Sequence, residues 1–129
     1  MFRNRDYASQ LKDYSGLKFG SISPTDIDAC LEFGGKLFVF VETKFGNAVM
    51  PRGQQLALER LCDKLTVPAI IIQTTHESSG DIDMASTTVV RYRENAKWVD
   101  DIPEITLRNL IEIFINKYVT NDTAPKRGV

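Results

Sequence analysis

Asp28, Glu42 and Lys44 sit on two runs of alternating apolar and polar residues, so the pattern itself decides which way each side chain points. Two carboxylates held close together repel each other, and a pKa rises unless a cation lies between them. A divalent metal meets that demand, and oxygen ligands alone suit Mg²⁺ or Mn²⁺ better than Zn²⁺, which favours His and Cys. A lysine two residues beyond the second carboxylate could orient or deprotonate a water, or neutralise charge developing on a phosphate. The chemistry open to such a trio is metal-assisted hydrolysis of a phosphodiester.

The elements that must position them are two predicted strands joined at Gly34-Gly35. In the first, Ile27, Ala29, Leu31 and Phe33 share one face, with Asp26, Asp28, Cys30 and Glu32 on the other. In the second, Leu37, Val39, Val41 and Thr43 oppose Phe38, Phe40, Glu42 and Lys44, so Glu42 and Lys44 point the same way. Asp28 joins them only in one register. A two-residue Gly-Gly loop pairs Phe33 with Lys36 and sends Asp28 to the Val41 position. A three-residue loop, Gly34-Gly35-Lys36, or a bulge with one glycine at positive φ, sets Asp28 opposite Glu42. The second register is the one predicted. Asp26 is the rival first acid, but spacing to Glu42 favours Asp28.

Asp28, a hydrophobic strand and then Glu42-Thr43-Lys44 within FVFVETK resembles the signature of the PD-(D/E)XK nuclease superfamily. The chain is similar in look to its small single-domain members, such as Holliday-junction resolvases and compact phage and bacterial nucleases. The resemblance runs over roughly residues 5 to 75 and is sharp only from 24 to 55. It implies an α/β domain with an α-β-β-β-α-β restriction-endonuclease-like core around a mixed sheet, followed by a C-terminal strand and helix. It further implies Asp28, Glu42 and the Thr43 carbonyl as Mg²⁺ or Mn²⁺ ligands and Lys44 as the residue acting on water or phosphate. Gln54, in the following helix, would support them. Gln55 competes for that part, and both glutamines also suit a solvated first turn.

The remaining sequence is consistent with one domain over 1–119. The chain's 129 residues with 43% hydrophobic content suffice for a single core. Cys30 and Cys62 fit neither a disulfide framework nor a zinc site and read as reduced core residues of an intracellular, cytoplasmic protein. No run is long enough to span a bilayer, and no membrane partner is expected. A net charge of −1 means that any surface attracting DNA must be local.

In chain order, Tyr7, Leu11 and Tyr14 predict a helix over 3–14, whose Asp6 and Asp13 face solvent. LKFGSIS is a short strand or an extended approach to Pro24. Residues 45–51 form a loop beside the site. RGQQLALERLCDKL, 52–65, is a helix with Leu58, Leu61, Cys62 and Leu65 as its stripe and Gln54 on the extension. Pro68 opens a buried strand, PAIIIQTT, parallel to the second motif strand through a crossover.

His76, the single histidine, ends that strand, where it could contact phosphate; a surface or hydrogen-bonded histidine is the plainer reading. Glu77, Asp81 and Asp83 follow in a loop that suits either a second metal or simple solvation. TTVVRYR, 87–93, is an alternating strand with Arg91, Arg93 and Val89 on one face. It could grip a nucleic-acid backbone, and an edge strand has the same pattern. Asp101, Pro103 and Glu104 predict the start of a last helix with a stripe of Leu107, Leu110, Ile111, Phe114 and Tyr118. Ile113 and Ile115 widen its apolar surface beyond one face, as in a buried helix or a dimer contact. Residues 120–129 are polar and aperiodic, as in a disordered tail.

The expected function is metal-dependent hydrolysis of DNA, structure-specific in the absence of a helix-turn-helix or zinc module. A homodimer would serve symmetric cutting, and a protein partner could recruit the chain. The alternative is a non-catalytic nucleic-acid-binding or protein-interaction module on the same fold.

Overall fold

The structure, a computed structural model, describes residues 13–120. The helix expected over 3–14, apart from Asp13 and Tyr14, and the tail beyond Thr120 lie outside the described residues. The chain forms a small α/β domain whose five-stranded mixed sheet has the order β1-β2-β3-β4-β5. The strands are β1 (Ala29–Glu32), β2 (Phe38–Phe45), β3 (Ala69–His76), β4 (Thr88–Glu94) and β5 (Lys97–Val99). Helix α1 (Arg52–Lys64) crosses from β2 to β3, and α2 (Leu107–Ile115) closes the domain, running on into a π-helical turn at Asn116–Thr120.

β2 and β3 pair in parallel, Phe38 opposite Ala69 through Phe45 opposite His76, as a helical crossover demands. Covered on both faces, they carry almost unbroken apolar runs. Leu37, Val39, Val41, Ile70 and Ile72 meet Leu107, Leu110 and Phe114 of α2 on one side. Phe40 and Ile71 meet Met50, Leu58 and Cys62 of α1 and its approach on the other. The buried stripe of α1 is Gln54, Leu58 and Cys62, each four residues from the last. Gln54 is therefore a polar residue on a core-facing stripe, whereas the expected Leu61 is exposed.

Several local expectations need correction. Residues 17–23 add no strand to the sheet. A 3-10 turn at Ser15–Leu17 leads to a lone Phe19–Ile22 bridge, so the extended approach holds and two strands precede α1 among the described residues. β4 is not an edge, because Lys97–Val99 pairs with it as β5. A bulge shifts the β3–β4 register between Gln73 and Thr74, so Arg91 pairs with Gln73 but Val89 with Thr74. Val90 is the extra residue, and Val89 therefore faces α2 while Arg91 and Arg93 face α1.

Helix α2 starts later than the Asp101-Pro103 signal suggests. Thr106 is its N-cap, accepting from the Asn109 N–H at 3.3 Å, and a Thr88–Thr106 bridge ties that cap to β4. Cys62 is buried, but Cys30 is exposed and not a core residue. Among the described residues, no helix is long and apolar enough to cross a membrane.

Candidate active site

The β1–β2 hairpin takes the three-residue loop. Phe33 N–H donates to the Leu37 carbonyl and Lys36 N–H to the Phe33 carbonyl, both at 2.9 Å, and Gly34 and Gly35 have φ of +58° and +77°. Glycine, without a Cβ, takes two successive positive φ values at little cost. Glu32 caps the turn by accepting from the Gly35 N–H. Ala29 then pairs with Val41, Cys30 with Phe40 and Leu31 with Val39, and one further step sets Asp28 opposite Glu42.

Hydrogen-bonded pairs alternate along an antiparallel ladder from Phe33–Leu37, so Asp28–Glu42 falls at a non-bonded pair, where side chains lie closest. The next ladder bond would join Thr43 N–H to Ile27. Instead the Asp28 carboxylate takes that N–H, at 2.8 Å to Oδ2, and Glu42 Oε2 accepts from the Asp28 N–H at 3.1 Å. Each acid thus binds backbone on the opposite segment, and β1 proper begins only after Asp28.

Glu42 is 1% exposed. Lys44 Nζ lies 3.7 Å from Glu42 Oε1 and donates to Gln54 Oε1 at 3.2 Å. Gln54 in turn donates through Nε2 to the Asp26 carbonyl at 3.1 Å, tying α1 to the segment leading into Asp28. Burial pushes the Glu42 pKa up; the Asp28 N–H opposes this, the Asp28 charge adds to it, and Lys44 and Gln54 pull the other way. Removal from water wins over the lysine.

The site therefore brings together Asp28, Glu42, Lys44 and Gln54, with Thr43 on β2 tied to Asp28 through its N–H. Among the described residues no three His, Cys, Asp or Glu side chains cluster, so the donor set is two carboxylates and adjoining backbone carbonyls. A buried carboxylate beside a second acid, with its charge only partly offset, is a set that suits a hard divalent cation.

No family model, curated protein or solved structure matches the chain. The site must be read from its own geometry.

Other candidates fall away from this cluster. Gln55 accepts from Arg91 at 2.8 Å and donates to Glu59 at 2.9 Å, so it is Gln54 that turns to Lys44. His76 pairs with Phe45 on the face opposite Glu42, its ring edge-on to Phe45 at 5.5 Å, and its Nδ1 is buried without a partner. Asp83 caps the 3-10 turn Met84–Ser86 through the Ala85 N–H and the Ser86 hydroxyl.

Sequence reasoning passed over Gln73 and Trp98. Gln73 is buried and sits beside Glu42 in the parallel register. Its Oε1 accepts from Arg91 Nε at 2.9 Å, and the Arg91 guanidinium lies 4.0 Å over the Trp98 ring. Trp98 Nε1 donates to Glu59 at 2.6 Å, closing a polar network under α1. A lone glutamine in the apolar run IIIQTT, on the Glu42 face, is the signal that would have found Gln73.

Proposed function

We propose that the chain is a metal-dependent nuclease that hydrolyses phosphodiester bonds in DNA, on a PD-(D/E)XK-like site. The observation that carries this reading is the register: Asp28 opposite a buried Glu42, with Lys44 3.7 Å from that carboxylate. Asp28, Glu42 and the Thr43 carbonyl would hold Mg²⁺ or Mn²⁺. When bound, such an ion activates a water and offsets charge on the phosphate.

The remaining steps belong to the chain. The reciprocal carboxylate–backbone bonds hold Asp28 and Glu42 at the closest point of the hairpin, and burial keeps bulk water from Glu42. Gln54 fixes the Lys44 ammonium through its amide oxygen and is itself anchored on the Asp26 carbonyl. Lys44 then offers its proton-bearing Nζ, half buried and pre-positioned, to a non-bridging phosphate oxygen. Gln54 is thus a positioning residue that acts through Lys44.

The test is cleavage of labelled single strand, duplex, flap and four-way junction with Mg²⁺, Mn²⁺ or chelator, for wild type beside Glu42→Ala and Lys44→Ala. Metal-dependent cutting should fall by about 10²-fold or more in both variants, the scale of losing one transition-state stabilising group. Wild-type rates in either folded variant refute the assignment. No cutting of any substrate by folded wild type would favour a non-catalytic module.

A further inference from the structure

A cleft of about 590 Å³ runs between the extended segment 21–26 and the exposed face of α1. Lys44 and Gln54 are among its lining residues, and Lys44 Nζ lies 3.7 Å from Glu42 Oε1, so the cleft adjoins the Asp28–Glu42 pair. Gly53, Ala57 and Arg60 line the helical wall at the spacing of a single stripe, and the first two are too small to fill the space. A Cβ built on Gly53 meets nothing within 4 Å. On the facing wall are the hydroxyl residues Ser21, Ser23 and Thr25, whose side chains make no hydrogen bond among the described residues. Arg60 makes no ion pair among them either. Asp26 is the acid of the lining, and Gln54 holds it in place through its backbone carbonyl without engaging the carboxylate.

We infer that this cleft seats one unpaired strand of nucleic acid leading into the carboxylate pair, so that the substrate is a single strand or a frayed end and not an intact duplex. The inference rests on the nuclease reading above. Hydroxyls, a lysine and an arginine are the groups that grip phosphates and sugars without reading sequence. The cleft falls within the roughly 300–1,000 Å³ of pockets that enclose one small ligand, a scale that suits a short piece of single strand and is too small to enclose a double helix.

From Gly53 to Arg60 the helix advances about 10 Å. A wall of that length suits a short stretch of extended, unpaired strand. Ile22, which lines the cleft, is tied to Phe19 by two backbone hydrogen bonds of 2.7 and 3.0 Å, and both side chains are about two-thirds exposed. They offer apolar surface on which unstacked bases can rest.

The experiment uses the full chain with a labelled single-stranded oligonucleotide, a blunt duplex and a duplex with an unpaired end. Binding is read by anisotropy in chelator, and cleavage is read in Mg²⁺. Gly53→Leu fills the cleft and should weaken single-strand binding and cutting by about tenfold or more, while Gly53→Ala stays within about twofold. Arg60→Ala should weaken binding by a smaller factor and lower the salt slope by about one phosphate contact. Should Gly53→Leu fail to fold, Arg60→Ala decides by itself.

A blunt duplex bound and cut as well as the single strand overturns the inference, as does single-strand handling indifferent to both substitutions. If Gly53→Leu-sensitive single-strand binding occurs without any metal-dependent cutting, the cleft stands and the nuclease reading falls. If Glu42-dependent cutting of duplex ignores Gly53→Leu, the nuclease reading stands and the cleft falls.

Discussion

Glu42 makes folding stability a readout of the site. Its pKa is raised in the folded protein, first by burial, so its protonated form is the one that folding favours. The stabilising contribution is therefore complete below the ordinary carboxylate range and is lost as pH rises through the raised pKa. Where Glu42 ionises, the metal-free protein carries the cost of a buried charge, and a divalent cation bound by Asp28 and Glu42 would offset it. At a concentration about 100 times its Kd, a ligand that binds only the folded state adds about 2.7 kcal/mol. For a domain of this size each kcal/mol moves Tm by roughly 3–6 °C, so saturating Mg²⁺ or Mn²⁺ should raise it by roughly 8–16 °C at pH 7.5.

Glu42→Gln keeps the size of the side chain and an acceptor for the Asp28 N–H while removing the charge. It should flatten the fall in Tm as pH rises above the ordinary carboxylate range and abolish the metal response together. The assay is thermal unfolding across that pH range with Mg²⁺, Mn²⁺ or chelator. A wild-type Tm that ignores both metals, or a Glu42→Gln protein stabilised as much as wild type, refutes the reasoning.

Gln54→Ala removes the link between Lys44 and the Asp26 carbonyl and should cut turnover by about 10–100-fold, the usual effect of losing a supporting partner; an unchanged rate would show that Lys44 needs no such positioning. Gly35→Val forces a β-branched residue to φ of +77° and should cost about 1–3 kcal/mol, read as a lower Tm. The same substitution should weaken the metal-induced stabilisation, because the three-residue loop is what sets Asp28 opposite Glu42, and a full metal response would separate the loop from the site.

The hairpin register, both central strands and α1 were legible because their determinants are local. Two adjacent glycines permit the loop, the period of two fixes the faces, and a four-residue spacing puts Gln54 on the buried stripe. What was hidden depends on partners distant in sequence. Val90 is bulged only because β4 must pair with β3, and that bulge turns Arg91 towards Gln73 and α1. Three residues, Lys97–Val99, have no strand signal of their own; they become β5 by pairing with β4, where Trp98 covers Arg91. Asp101 is the better cap by type, and the bridge from Thr106 to Thr88 selects Thr106 instead.

These long-range contacts bear on the site through Gln73. A buried glutamine beside Glu42 could have turned its amide to that carboxylate and satisfied its charge. Arg91 instead takes the Gln73 oxygen while stacked on Trp98 and bonded to Gln55. The guanidinium charge is thereby held on the glutamine side, with Glu59 balancing it through Gln55 and Trp98. Glu42 is left with Lys44 as its ion-pair partner among the described residues, at a distance too long for a hydrogen bond. The network under α1 thus stiffens the floor of the site without neutralising it, and that incomplete compensation is the property a cation-binding carboxylate requires.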